Sequence, residues 1–239
     1  MVTMTFKDLV VAAGVAVAGA TAGQAAVLSG SFNIDIYNYD SEGSSGKSDA
    51  ILGNAGQSDY YDQHSELMGV TYEGALDFFR DNDPSTVGEF LASGGGTVTG
   101  LTAAAEDWIL SSGAGGGPNP DASGSRGSFR WTTLFVITPT TPFDSGFYGE
   151  IVHDDGIGLY ENGKLVTPSG KTEPTSIVTT PYRLEGGDFE LVYVAANGDP
   201  SKLEVSAVPL PFAGLLMAGA LGAVGVAYGG VARRRRDDG

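Results

Sequence analysis

Residues 146–165 read GFYGEIVHDDGIGLYENGKL, and they decide the fold class. Gly146 to Val152 and Ile157 to Tyr160 are short runs rich in aromatic and β-branched residues, parted by Asp and Gly, which is strand chemistry. Asn162-Gly163 then stands between apolar flanks. Both central residues of a type I′ turn need positive φ, and Asn-Gly meets that need with the least strain, so a tight antiparallel hairpin is expected. Downstream, Phe189 to Val194 (FELVYV) alternates, Asn197-Gly198 signals a second turn, and Lys202 to Ser206 (KLEVS) makes a last strand. Upstream, Phe129 to Ile137 (FRWTTLFVI) reads the same way. Short strands with turn signals about every ten residues predict a mainly β body, an antiparallel β-sandwich or jelly roll with a few short helices.

The first half of the body is more mixed. Ser31 to Tyr39 (SFNIDIYNY) alternates and predicts a strand with one buried face. Thr71 to Arg80 (TYEGALDFFR) and Ser85 to Leu91 (STVGEFL) are short helix candidates, the second with Ser85 as its N-cap. Residues 93–127 are rich in Gly and Ser and read as surface loop around one apolar island, Ala103 to Leu110, a strand or short helix.

Composition narrows the chemistry. Residues 26–206 hold 8 Lys and Arg against 26 Asp and Glu, a net of −18. Such a surface repels phosphate backbones and excludes nucleic acid as a partner. The 239 residues include no Cys and two His, His64 and His153, which removes disulfides, thiol catalysis and Cys-ligated metals. Calcium is the one metal the composition favours, because it takes oxygen ligands and the body is rich in acids, Asn and Gly carbonyls.

Both ends read as addresses. Lys7, the uncharged run Leu9 to Ala20, and small residues at Gly23 and Ala25 predict a signal peptide over residues 1–25, cleaved between Ala25 and Ala26. Residues 26–206 then form the exported body and 207–239 a tail. Within the tail, 212–232 (FAGLLMAGALGAVGVAYGGVA) are 21 uncharged residues. As a helix they measure about 31 Å, enough to cross a hydrocarbon core of about 30 Å. Arg233, Arg234, Arg235 and Arg236 follow at once and hold that end in the cytoplasm, which puts the body outside. Before the run stands Val208-Pro209-Leu210-Pro211, whose prolines impose an extended entry.

That order of motif, apolar span and terminal Arg cluster resembles the PEP-CTERM class of bacterial sorting tails, in its VPLPA-type variant. The resemblance implies an exosortase-type processing enzyme as partner, besides the membrane. It also implies an exported protein of a Gram-negative bacterium, and the thin catalytic chemistry of the body makes a non-enzymatic role the expectation. That protein faces the periplasm from the inner membrane before processing, and is held in the envelope or released outside afterwards, among surface or exopolysaccharide material.

Within the body, His153-Asp154-Asp155-Gly156 and Leu159-Tyr160-Glu161-Asn162-Gly163 resemble the "DDG…LY.(D/N)G" core of PA14-like β-sandwich domains, and 189–205 are similar to that family's closing strands. In its carbohydrate-binding members the paired Asp sit in a calcium loop that also touches a sugar. The resemblance implies that role for Asp154 and Asp155, with a calcium-dependent carbohydrate-binding module as the alternative function. A β-turn whose Asp side chains bond their own backbone is the plainer reading of the same pair.

Other chemistry is thin. Asp81-Asn82-Asp83 lacks EF-hand spacing and reads as a loop ahead of Pro84. Asp144-Ser145-Gly146 is a single D-S-G, where aspartic-protease chemistry needs two carboxylates meeting. G-x-S-x-G, H-E-x-x-H and Gly-rich phosphate loops are absent from the sequence. A glycan-active hydrolase, which needs only two spaced carboxylates, stays as the enzymatic alternative. Trp108 and Trp131 read as core residues before sugar platforms.

Overall fold

The computed structural model of the chain describes residues 25–40, 65–82, 84–112, 131–144, 146–168, 176–196 and 198–209. They are mainly antiparallel β-sheet. The strands are β1 (Ala26–Val27), β2 (Ser29–Asp40), β3 (Ser65–Ala75), β4 (Asp77–Arg80), β5 (Thr97–Thr99) and β6 (Trp131–Pro139). They continue as β7 (Phe147–Asp154), β8 (Ile157–Glu161), β9 (Lys164–Leu165), β10 (Val178–Leu184), β11 (Phe189–Ala195) and β12 (Ser201–Pro209). Two short helices, α1 (Val87–Ser93) and α2 (Ala103–Glu106), lie between β4 and β6.

One sheet orders its strands β1-β12-β7-β10, with β4 also on β12, and the other runs β5-β3-β2-β6-β11-β8-β9. Their facing residues share one core: Ile151, Tyr182, Leu203 and Val205 from the first meet Ile34, Phe135, Ile137 and Tyr193 from the second. This is the layout of a β-sandwich. Strand β11 is buried on both faces. Leu191 and Tyr193 enter the main core, while Val192 and Val194 join Tyr39, Leu134 and Tyr160 in a second cluster.

The hairpin at Asn162-Gly163 forms as its sequence requires. Asn162 has φ 52° and Gly163 φ 72°, and Tyr160 and Glu161 pair with Leu165 and Lys164.

The helix expected at 71–80 is instead strand: β3 runs through Ala75 and β4 begins at Asp77. Val70, Tyr72, Leu76 and Phe78 are all buried, a period of two interrupted by Gly74 on the same face. A Cβ at Gly74 would come within 2.7 Å of the Gly96 backbone and of the Tyr72 hydroxyl, so the inward position must be glycine and the apolar alternation is hidden.

The second helix forms, one residue late. Its cap is Thr86 rather than Ser85: Thr86 Oγ1 accepts from the Glu89 N–H at 3.2 Å, and Glu89 Oε2 accepts from the Thr86 N–H at 3.2 Å. The Ser85 hydroxyl donates instead to the Asn82 carbonyl. Such a reciprocal cap satisfies two otherwise orphaned donors. Thr86→Ala is therefore expected to destabilise the fold by about 1 kcal/mol, read from the denaturation midpoint, whereas Ser85→Ala leaves the cap intact. The apolar island at 103–110 resolves into α2, with Trp108 packed against the core.

Strand β12 runs past the expected body boundary at residue 206: Val208 pairs with Tyr148 and Pro209 with Phe147. Its other edge pairs with β1, Ala26 opposite Ala207. No described helix is long and apolar enough to cross a membrane. Residues 1–24, Leu210, Pro211, the 212–232 run and Arg233 to Arg236 lie outside the described residues.

Candidate functional site

The paired Asp lie where the chain crosses from one sheet to the other. Strand β7 belongs to the first sheet and β8 to the second, so His153-Asp154-Asp155-Gly156 bridges them. The crossing from β11 to β12 runs alongside it. The Asp155 N–H donates to the Val194 carbonyl at 3.2 Å, the Val194 N–H donates to the Gly156 carbonyl at 2.9 Å, and the Ala196 N–H donates to Asp155 Oδ2 at 2.8 Å.

Three consecutive polar residues are sunk here: His153 is 0% exposed, Asp154 3% and Asp155 1%. The Asp155 carbonyl lies 2.6 Å from His153 Nδ1, and as it can only accept, Nδ1 carries the proton. Nε2 lies 2.8 Å from Thr180 Oγ1, so in the neutral ring it accepts from that hydroxyl. Thr180 reaches it because β10 alternates, with Thr180, Tyr182 and Leu184 inward. The buried Tyr193 hydroxyl donates to the Asp154 carbonyl at 2.6 Å. Burial, followed by the charges of Asp155 and Asp154, pushes the Tyr193 phenol well above its ordinary value.

One acidic oxygen at this crossing stands out. Asp154 Oδ1 is buried without a hydrogen-bond partner. Burial pushes the Asp154 carboxyl up from 3.8 to about 6, and its contact with the Asp155 side chain pulls the other way. A sunken carboxylate beside another acid calls for a proton or a cation.

Calcium suits this donor set. It takes 6–8 oxygen ligands, and Asp154 Oδ1 is an oxygen acceptor with no other task. No group of three His, Cys, Asp or Glu forms a metal cluster among the described residues. The remaining ligands would thus be carbonyl, hydroxyl or water oxygens. At 3% and 1% exposure the two Asp can hold an ion but cannot themselves be the face that meets a sugar.

The other expected residues scatter. Asp81 and Asn82 are exposed past the end of β4, and Asp83 lies outside the described residues. Asp144 is exposed, and Ser145 is outside the described residues. Trp131 is half-buried in β6. Ala25 is exposed and Ala26 opens β1. Val208 is 8% exposed inside β12. His153 is wholly buried and hydrogen-bonded on both ring nitrogens, not a solvated strand end. An open groove of about 550 Å³ lies apart from the paired Asp, lined by residues in and around α1, β5 and α2, among them Glu89, Glu106 and the α2 C-cap Asp107.

Thr180, Tyr193 and the Ala196 N–H escaped the sequence. Only Tyr193 left a signal there, as an inward position of an alternating strand.

No protein-family model matches the chain, and no curated protein does. Among the solved structures similar to the chain are two PA14 domains. One is a PA14 sugar-binding domain from an RTX adhesin, at 14% identity over 74% of this chain and 89% of that one, with a TM-score of 0.43. The other is the PA14 domain of the MpAFP antifreeze protein, at 15% identity over 73% of this chain and 79% of that one, with a TM-score of 0.39.

Proposed function

We propose that this chain is an exported, non-enzymatic envelope protein whose β body holds a calcium ion at Asp154 and Asp155 and uses the surrounding loops to bind polysaccharide. The observation that carries the reading is the unpartnered, buried Asp154 Oδ1 at a crossing between sheets. A calcium ion there would neutralise two sunken carboxylates and brace both inter-sheet crossings. The sugar rests on the likeness of the Asp154-Asp155-Gly156 stretch to carbohydrate-binding PA14 loops. The test is retention of the full chain on immobilised bacterial polysaccharides in millimolar calcium. Retention lost in EDTA and in Asp154→Asn supports the reading, and retention indifferent to both sinks it.

The tail completes the proposal: residues 212–232 span the membrane and Val208 to Pro211 with Arg233 to Arg236 form the sorting signal. Because Val208 and Pro209 also belong to β12, the informative change is Leu210→Ala with Pro211→Ala, which leaves the sheet untouched. Expressed in cells with the processing enzyme, that variant is expected to keep the mass of the unprocessed chain. A mature mass equal to wild type would reduce the tail to a plain anchor.

A further inference from the structure

Strand β12 fixes how the body stands over the membrane. The sheet holds the chain as far as Pro209, and the apolar run starts at Phe212. Three Cα steps reach at most about 11 Å. A bilayer is about 40–45 Å thick with headgroups and about 30 Å without, so each headgroup layer takes up about 5–7 Å, roughly half or more of that reach. The body cannot float free on so short a tether. The residues level with Pro209 are known from the register: Phe147 and Tyr148 on β7, and Arg183 and Leu184 on β10. Ala26, opposite Ala207, leaves from the same rim. On the outer face of this rim Tyr148 is 45% exposed, in register with Val208 on one side and Arg183 on the other. Tyrosine rings settle at headgroup depth, and Arg183, whose exposed side chain pairs with the equally exposed Glu185 at 3.0 Å, can exchange that solvent-screened partner for lipid phosphate.

We infer that the rim of the first sheet that carries the exposed Tyr148 and Arg183, beside the buried Val208, is a lipid-contacting surface that seats the body upright on the bilayer. The Asp154-Asp155 crossing then faces away from the membrane. It lies level with Lys202, six residues before Val208 on β12, which is about 20 Å farther out. The inference rests on the reading of 212–232 as a span, and it assigns the opposite end of the same sheet to the partner outside.

Because the sequence has no Cys, one engineered Cys gives one label. Arg183→Cys and Ile177→Cys place a fluorophore at the two ends of β10, both at exposed positions. The full chain is reconstituted in phosphatidylcholine vesicles containing headgroup spin-labelled phosphatidylcholine. Loss of most of the fluorescence at 183 and little at 177 is the expected result. Equal quenching at both, which describes a body lying flat, or quenching at neither overturns the inference. A chain that fails to float with the vesicles overturns the span itself, a separate outcome. Glu185→Cys and Asp81→Cys repeat the comparison on neighbouring elements should either first variant unfold.

Discussion

In EDTA at pH 7.5, Asp154→Asn is expected to unfold at a higher temperature than the wild-type chain. The reasoning is one of sign. Burial holds the Asp154 carboxyl at about 6 in the folded state against 3.8 for the ordinary group. The folded metal-free chain therefore binds a proton more tightly than the unfolded one. Its contribution to stability is greatest below about pH 4, falls as pH rises through about 6, and stays low above that. The difference amounts to about 3 kcal/mol, or roughly 6–12 °C for a chain of this size. Asn resembles the protonated acid and escapes the penalty. Calcium reverses the order. An ion bound only to the folded state adds RT ln(1 + [L]/Kd), about 2.7 kcal/mol at a hundredfold excess over Kd. It acts on the ionised wild-type carboxylate and finds little to hold in the variant. The calcium-induced shift is thus expected to be large at pH 7.5 and to fade below pH 6, where protons compete for the same oxygens. Thermal unfolding of both chains, with EDTA and with calcium across pH 4 to 8, reads all four arms. A wild-type chain more stable than Asp154→Asn in EDTA at pH 7.5 would show that the carboxylate is already satisfied.

Phe90→Ala is expected to cost more than any other single truncation in the helical segment, about 3–5 kcal/mol. Phe90 is 1% exposed on α1 and touches rings from both sheets: Phe78 at 5.2 Å between centroids, Phe135 at 5.3 Å and Tyr193 at 5.6 Å. Tyr72 extends the chain of rings beyond Phe78 at 5.0 Å. Removing the central ring leaves a cavity that strand backbones on both sides cannot collapse into, which keeps the cost at the high end. Tyr193 carries the effect onward, since its ring packs on Phe90 and its hydroxyl donates to the Asp154 carbonyl. Phe90→Ala should therefore also weaken calcium binding, whereas Thr86→Ala, a cap loss on the same helix, should spare it. Urea unfolding and calcium titration of the two variants separate the effects. Equal calcium affinity in Phe90→Ala would show that Tyr193 is held without it.

The parts of the fold legible in the sequence are those where one local rule acts alone. The Asn162-Gly163 turn needs only its two positive φ values. The alternation of 31–39 and the run of 131–137 mark strands directly. Legibility failed where backbone crowding overrides side-chain pattern. Gly74 removes one inward side chain from β3 and turns a strand period into an apparent helix. The alternation of β10 is hidden in the sequence because one of its inward residues, Thr180, is polar; the outward Pro181 is tolerated because β10 pairs on one side only, with β7.

The candidate site was half legible. Asp154 and Asp155 stand out as a pair in sequence, but what distinguishes them from an ordinary turn is their burial at a double crossing between sheets. That burial depends on Ala196 and Tyr193, some 40 residues away, and on Thr180 from a third strand. Val208 and Pro209 show the opposite case. The prolines at 209 and 211 signal an extended segment, and only the ladder to β7 reveals that Val208 and Pro209 belong to the body's sheet.

Direct titration of calcium into the purified full chain at pH 7.5, beside Asp154→Asn, tests the central claim with the fewest intermediate steps. A saturable site in the wild type that disappears in the variant is the predicted result. Absence of binding in the wild type, or equal binding in both chains, would contradict it and leave Asp154 and Asp155 as a buried structural crossing.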